Sequence, residues 1–158
     1  MKALRNYFLL ISLALMSLVA VSCGGNGDEL DPFIQMDNAQ KFINAYKNRL
    51  PNAILVDLRS PEDYDTGHLD GAENLSVFNA DGKTVNAKDL DPKLGGTWPK
   101  RLLELAGDKN VAVFLYGNTN FAYTRDIAGH ASQVGFGKKN TIINLSKIAD
   151  LQAAMDNQ

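Results

Sequence analysis

Short apolar runs along the chain predict four β-strands, at residues 53–58, 72–77, 110–116 and 140–145. The first run, AILVDL, is continuously apolar, a pattern typical of strands that are covered on both faces of a sheet. The third run, NVAVFLY, ends at a short polar stretch that begins with Gly117. Ligands usually lie beyond the carboxyl ends of parallel strands, so this stretch is a candidate functional loop.

Segments with helical spacing separate the strands. Residues 37–51 carry apolar side chains at helical intervals, with Asp37 as the predicted N-cap and Pro51 as the stop. One helical turn is predicted at residues 60–67, and longer helices at residues 97–107, 122–136 and 146–155. Because strands and helices alternate, the sequence predicts an α/β fold with an open, mostly parallel β-sheet flanked by helices on both faces. The polar segment 78–96 interrupts this order, and loops of such length are often functional.

The first 22 residues have the composition of a secretory signal peptide, with Lys2 and Arg5 before an uncharged run. The run is shorter than the roughly 18–20 apolar residues that span a bilayer, although a spanning anchor is an alternative. The sequence LVAVSC resembles the end of a bacterial lipoprotein signal, in which the Cys is lipidated after cleavage. We therefore expect Cys23, the only cysteine, to carry acyl chains such as palmitate and to anchor the chain in a membrane. The alternative is an ordinary signal peptide with an incidental Cys.

Residues 23–34 are predicted to form a polar tether, because GGNGDELDP offers no apolar face to bury. The acidic pair Asp28 and Glu29 resembles the export tags of surface lipoproteins. We therefore expect the protein in the bacterial cell envelope, anchored by lipid at the outer membrane, and surface exposure is one of the open alternatives for the side it faces. Residues 1–22 contain two of the 16 basic residues and none of the 18 acidic ones, so the remainder has a net charge of −4. This balance gives no indication of a nucleic-acid partner, and residues 35–158 suit one domain.

Residues 54–77, ILVDLRSPEDYDTGHLDGAENLSV, resemble the first signature of the rhodanese family. That signature is a strand ending in Asp-x-Arg, a Ser-Pro-Glu-x-Tyr turn, and then Gly-His-hydrophobic-x-Gly-Ala-x-Asn. The matching positions are Asp57, Arg59, Pro61, Glu62, Tyr64, Gly67, His68, Gly71, Ala72 and Asn74. The order of elements extends the resemblance to about residues 35–157, which implies the rhodanese-like fold.

Rhodaneses transfer a sulfane sulfur through a persulfide on a Cys that ends a buried strand. The family's loop has the form Cys-x-x-Gly-x-Arg, and its backbone N–H groups and the following helix N-terminus stabilise the anion and lower the thiol pKa. In this chain the Cys position falls on Tyr116, Gly117 or Asn118, none of which can form a persulfide. The loop Gly and Arg are not matched, and Arg125 lies further along, within the predicted helix.

The resemblance therefore implies a rhodanese-like domain with no catalytic residue and no cofactor. We expect it to bind a small anion or an envelope protein partner in the former sulfur-transfer pocket. The candidate ligand-binding residues are Arg59, Gly117, Asn118, Thr119, Asn120, Phe121 and Arg125. One alternative is a sulfurtransferase-related protein that uses a thiol supplied by a partner. The other is a purely structural envelope lipoprotein, with a pocket filled by Phe121 or Tyr123.

Other polar residues have structural interpretations. In the family pattern His68 belongs to a turn that packs against the sheet, and His130 lies within a predicted helix. No third ligand type accompanies either histidine, so the sequence predicts no metal site. Asp57 and Arg59 are expected to form an internal pair or to cap a loop, with Arg59 facing the pocket as the alternative. Trp98 is expected to be a core anchor.

Overall fold

The computed structural model describes residues 31–118 and 121–157, without the side chains of residues 121 and 122. The predicted signal peptide, Cys23 and most of the predicted tether lie outside these residues, as do Thr119 and Asn120. Within the described part of the chain, no helix combines the length and the apolar character needed to cross a membrane.

The order of elements confirms the predicted alternation of strands and helices. The strands are β1 (Ile34–Met36), β2 (Ala53–Asp57), β3 (Ala72–Asn74), β4 (Ala112–Tyr116) and β5 (Thr141–Asn144). The α-helices are α1 (Ala39–Lys47), α2 (Pro61–Thr66), α3 (Ala87–Leu90), α4 (Trp98–Ala106), α5 (Phe121–Gln133) and α6 (Ile148–Asp156). Single 3₁₀ turns lie at Pro92–Leu94 and Lys138–Asn140.

The strands form one parallel sheet in the order β1-β5-β4-β2-β3. The predicted fold class, an open parallel sheet flanked by helices, is therefore confirmed. The carboxyl ends of the strands lie at one edge, here called the loop edge, which includes residues 58–60 and 117–118. The amino ends lie at the other edge, here called the amino edge, which includes the connections 48–52, 107–111 and 134–140.

Strand β4 shows why its sequence is apolar throughout. Val113 and Leu115 pack in the core on the side of α4 and α5, whereas Phe114 and Tyr116 pack on the side of α1 and α6. Successive side chains of a strand point to opposite faces of the sheet. A strand covered by helices on both faces therefore has apolar residues at consecutive positions.

Local signals fix the helices that border the loop edge. Trp98 begins α4, is fully buried, and donates from Nε1 to the Leu75 carbonyl over 3.0 Å, so the predicted core anchor is confirmed. Ser60 caps α2, because its hydroxyl accepts a hydrogen bond from the Asp63 N–H. The prediction for α1 is wrong by one residue, since Asn38 rather than Asp37 caps it by accepting from the Lys41 N–H.

Strand β1 is an element that the sequence pattern does not predict. Three residues are too few to display an alternating pattern, and the strand depends on pairing with β5, where Ile34 lies opposite Ile142. Phe33, immediately before it, is only 4% exposed. The fold therefore includes Phe33 and Ile34, which the sequence interpretation assigned to the tether.

Candidate functional site

The loop edge is built on a buried ion pair at the end of β2. Asp57 is inaccessible to solvent, and Arg59, two residues later, is 6% exposed. Nη2 of Arg59 lies 2.6 Å from Oδ2 of Asp57, and Nε donates to both carboxylate oxygens over 3.0 and 3.1 Å. The backbone N–H of Arg59 also donates to Oδ1. Of the two interpretations of these residues, the geometry matches the internal pair.

Further residues of the signature tie this pair to the neighbouring chain. Nη2 of Arg59 also donates to the Gly67 carbonyl over 2.6 Å, at the end of α2. The side-chain amide of Asn74 donates to the carbonyls of Asp57 and Arg59. These bonds satisfy polar groups that would be costly to bury alone. Any ligand at this site would therefore encounter an Arg59 guanidinium that is already paired with Asp57 and the Gly67 carbonyl.

Tyr116 is one of the three positions that align with the family's Cys, and its side chain lies in the core. The Arg59 guanidinium carbon is 6.0 Å from the centre of its ring, and its hydroxyl accepts a hydrogen bond from the Leu69 N–H. Burial, followed by the negative charge of Asp57, raises the pKa of Tyr116 far above its ordinary value. Tyr116 is thus a neutral core residue rather than a loop nucleophile.

Gly117 is the second of these positions, and the side chain of Tyr123 occupies the space beside it. A Cβ atom at Gly117 would overlap with the Tyr123 hydroxyl, would lie 3.3 Å from Cζ of the same ring, and would lie 3.6 Å from the Cβ of Leu58. Tyr123 belongs to the first turns of α5 and is only 8% exposed. The space that a side chain at position 117 would need is therefore filled by a phenol from the following helix.

The hydroxyl of Tyr123 is buried and has no hydrogen-bond partner among the described residues. Burial raises its pKa, and the nearby Asn118 N–H and Thr124 hydroxyl oppose that shift in part. On its other side the ring packs edge-to-face against Phe78, with the ring centres 5.8 Å apart. A buried hydroxyl without a partner costs about 1–3 kcal/mol, so it marks a place where a ligand could gain a hydrogen bond.

The remaining predicted site residues are spread over several places. Asn118 is exposed at the loop edge, and its Nδ2 lies 3.4 Å from Oδ2 of Asp63 in the first turn of α2. Arg125 is half-exposed on α5 and pairs with Asp31, with Nη2 3.0 Å from Oδ2. Thr119 and Asn120 lie outside the described residues. Phe121 begins α5, and its side chain is not described.

The segment 78–96 borders the loop edge. Phe78 contacts Tyr123, and Gly82 approaches the first residues of α2 closely enough that a Cβ there would lie 3.5 Å from Oε2 of Glu62. Between this segment and α2 is a cavity of about 270 Å³, with polar lining residues Glu62, Asn74, Ser76, Asn79, Asp89 and Arg101. The length of the segment indicated a functional loop, but nothing in its sequence identified Phe78 as a neighbour of Tyr123.

The two histidines lie in different parts of the fold. His68 stacks on Tyr64 with ring centres 3.9 Å apart, and its Nδ1 lies 3.0 Å from the Tyr64 carbonyl oxygen. His130 lies on α5, and its Nδ1 is buried without a hydrogen-bond partner in the described part of the chain. Among residues 31–118 and 121–157, no three His, Cys, Asp or Glu side chains are grouped so that they could hold a metal ion.

Comparisons with known proteins concern the family and the fold of this chain. The sequence matches the family described as "Rhodanese-like domain" over residues 38–147. No curated protein sequence matches it. A structure described as "rhodanese with anions from E. coli" is 20% identical, with a TM-score of 0.42, over 62% of this chain and 89% of that chain. An uncharacterized protein from Saccharomyces cerevisiae is 18% identical, with a TM-score of 0.51, over 77% of this chain and 92% of that chain. This last similarity bears on the fold alone.

Proposed function

The chain belongs to the rhodanese-like domain family, and on that premise we propose that it is a non-catalytic binding module. Its ligand is a small oxyanion or a segment of an envelope protein that presents a negatively charged group. The binding site is the loop edge, where β4 ends and α5 begins. Fold alone does not define an activity, so the proposal depends on the residues of this site.

The observation that carries the proposal is the contact between Gly117 and Tyr123. Persulfide chemistry requires a thiolate with room for an additional sulfur atom. The chain has one cysteine, Cys23, far from this site in sequence, and the Tyr123 hydroxyl fills the space beside Gly117. A side chain that fills this space is compatible with binding at the surface of the loop but opposes sulfur transfer within it.

Anion binding is supported by the donors that surround the end of β4. The Tyr123 hydroxyl has no partner within residues 31–118 and 121–157, and the Asn118 N–H and the Thr124 hydroxyl lie close to it. Helix α5 begins directly after this loop, and a helix N-terminus favours negative charge. An oxyanion that accepts from the Tyr123 hydroxyl would supply a hydrogen bond that the described residues do not, which favours binding.

Oxyanion titration tests this site. Isothermal titration of the chain with thiosulfate, sulfate and phosphate should detect binding, and Tyr123→Phe should weaken it about 10- to 100-fold, the value of a hydrogen bond to a charged group. Tyr46→Phe is the matched control, because Tyr46 packs on the α1 side of the sheet. Equal affinity in the chain and in Tyr123→Phe would contradict the role of this hydroxyl.

The filled space also favours a second candidate, a purely structural envelope lipoprotein. In that case none of the oxyanions would bind or raise the melting temperature. Tyr123→Ala would lower stability by about 3–5 kcal/mol, as for other large core deletions, without any functional effect. A sulfurtransferase that borrows a thiol would instead produce thiocyanate only when a thiol-bearing partner is added.

Membrane attachment through Cys23 is part of the same proposal. It is supported by the sequence LVAVSC, by the polar residues that follow it, and by the lack of any second cysteine that could form a disulfide. Expressed in a bacterial host, the chain should incorporate labelled palmitate and partition with the outer membrane. Cys23→Ala should be unlabelled and released, and labelling that persisted in this variant would refute acylation at Cys23.

A further inference from the structure

A cluster of basic residues lies at the amino edge of the sheet, opposite the loop edge. Its members come from three connections that are distant in sequence: Arg49 before β2, Lys109 before β4, and Lys138 and Lys139 before β5. Because the strands are parallel, all three connections meet at one end of the domain. These four residues, together with Leu50, are called the basic patch.

Hydrogen bonds hold the connections of the basic patch together. Nη1 of Arg49 donates to the Lys139 carbonyl over 2.6 Å. The side-chain amide of Asn140 donates to the Lys109 carbonyl over 3.1 Å. A shallow depression joins the three connections, and Arg49, Leu50 and Lys139 are among the residues that line it. The basic side chains are therefore attached to a fixed surface rather than to independent loops.

The charge of the basic patch is opposite to that of the chain as a whole, which carries 16 basic and 18 acidic residues. The acidic residue within these connections is Asp108, whose carboxylate accepts from the backbone and side chain of Asn110. Four further acidic residues lie at the margins of the same end: Asp31 before β1, Asp70 before β3, Glu104 near the end of α4 and Asp156 at the end of α6. Asp31 pairs with Arg125 and Glu104 with Lys100, and Lys47 ends α1. The concentration of positive charge is thus local, around the starts of β2, β4 and β5.

Leu50 adds an exposed apolar residue to the basic patch. It is 51% exposed, and it lines the depression together with Arg49 and Lys139. An exposed aliphatic side chain beside lysine and arginine is suited to a bilayer interface, where the apolar group enters the headgroup boundary and the cations meet anionic lipids.

We propose that the basic patch is a docking surface for the anionic headgroups of a phospholipid membrane. An acidic protein could also satisfy the charges, but the lipid anchor proposed at Cys23 places this domain next to a membrane. The start of β1 lies at the same end, since Phe33 and Ile34 line a small cavity with Lys138. Contact through the basic patch turns the loop edge, with Gly117 and Tyr123, away from the membrane and toward partners in solution.

Vesicle binding tests the proposal. The protein is the chain from residue 23 onward with Cys23→Ser, which cannot be acylated and keeps every contact described within residues 31–157. We expect it to sediment with phosphatidylcholine vesicles that contain about 30% phosphatidylglycerol, but not with pure phosphatidylcholine, and to be released by salt. The triple variant Lys109→Gln, Lys138→Gln, Lys139→Gln should bind about a hundredfold more weakly, at about fivefold per basic residue near an anionic surface.

The matched control is the triple variant Lys83→Gln, Lys88→Gln, Lys93→Gln. It removes the same net charge from exposed positions in the segment 78–96, at the other end of the domain. It should bind within about twofold of the parent, since surface charges beyond a Debye length of the membrane are screened. Leu50→Ser should weaken binding without changing its salt dependence.

Three results would overturn the proposal: equal binding to both kinds of vesicle, equal losses in the two triple variants, or release of bound protein by soluble glycerol phosphate at the concentration of the lipid headgroups. The last result would identify a site for free phosphate rather than a membrane surface. The protein in these experiments has no acyl chain and an unaltered loop edge. A negative result with vesicles would therefore count against the basic patch alone, and not against acylation at Cys23 or oxyanion binding at Tyr123.

Discussion

Replacing Gly117 with alanine should destabilise the fold, because the added methyl group would overlap with the Tyr123 hydroxyl. Inserting a methyl group into a packed site costs about 1–3 kcal/mol. Removing the hydroxyl by Tyr123→Phe leaves Cζ at 3.3 Å and the Leu58 Cβ at 3.6 Å from the new methyl group, distances that small shifts can accommodate. The double variant should therefore recover most of the loss.

A double-mutant cycle measures this relief directly. Urea unfolding followed by the fluorescence of Trp98, the only tryptophan, gives the free energy of unfolding of the parent, both single variants and the double variant. We expect a coupling of about 1–2 kcal/mol between the two positions, within the range for residues in contact. Tyr123→Phe alone should be close to neutral, since it removes a buried hydroxyl for which the described part of the chain supplies no partner.

Gly129→Ala provides the control. Gly129 lies within α5, and a Cβ atom there would meet nothing within 4 Å. Alanine is favoured over glycine in a helix by about 0.5–1 kcal/mol, so this variant should be as stable as the parent or more stable. If Gly117→Ala behaved like Gly129→Ala, or if the cycle gave no coupling, the conclusion that Tyr123 fills the space beside Gly117 would be wrong.

Gly117→Cys combined with Tyr123→Ala should place a thiol in the space that the phenol vacates. If the loop still stabilises anions, the pKa of this thiol should fall below the ordinary value of about 8.5. A thiol that titrates like free cysteine would show that the loop does not stabilise anions. Burial favours the neutral phenols of Tyr116 and Tyr123, so their stabilising contribution is complete below the ordinary pKa of 10.0 and is lost as the pH rises above it. The free energy of unfolding should therefore fall above about pH 10, less steeply in Tyr123→Phe than in the parent, and equal slopes would contradict burial of that hydroxyl. Arg59→Leu should lower the free energy of unfolding by about 3–5 kcal/mol, because it leaves Asp57 buried without its partner. A loss below about 1 kcal/mol in urea titration would mean that this ion pair contributes no more than a solvent-exposed ion pair does.

The sequence alone predicts the features that depend on a local pattern of residues. The apolar run of β4 predicts a strand covered on both faces, and the signature from Asp57 to Asn74 predicts the turn that surrounds the buried ion pair. The position of Trp98 in the core also follows from a single bulky residue at a helix start. In each case the residues that determine the feature are close together in the chain.

Features that depend on tertiary contact could not be predicted in the same way. Strand β1 has three residues and depends on its pairing with β5. The sequence indicated Tyr123 at the edge of the pocket, but its overlap with the space beside Gly117 depends on the orientation of α5 against β4. The contact between Phe78 and Tyr123 joins residues separated by two helices and a strand, so no local pattern could indicate it.

The central proposal is that this chain keeps the rhodanese-like fold but has no thiol at the end of β4 to carry sulfur. The most direct test is the formation of thiocyanate from thiosulfate and cyanide by the purified chain from residue 23 onward, with and without Cys23→Ser. We expect no thiocyanate above the buffer control for either protein. Turnover by the Cys23→Ser protein alone, in proportion to its concentration, would show that the domain transfers sulfur without a cysteine.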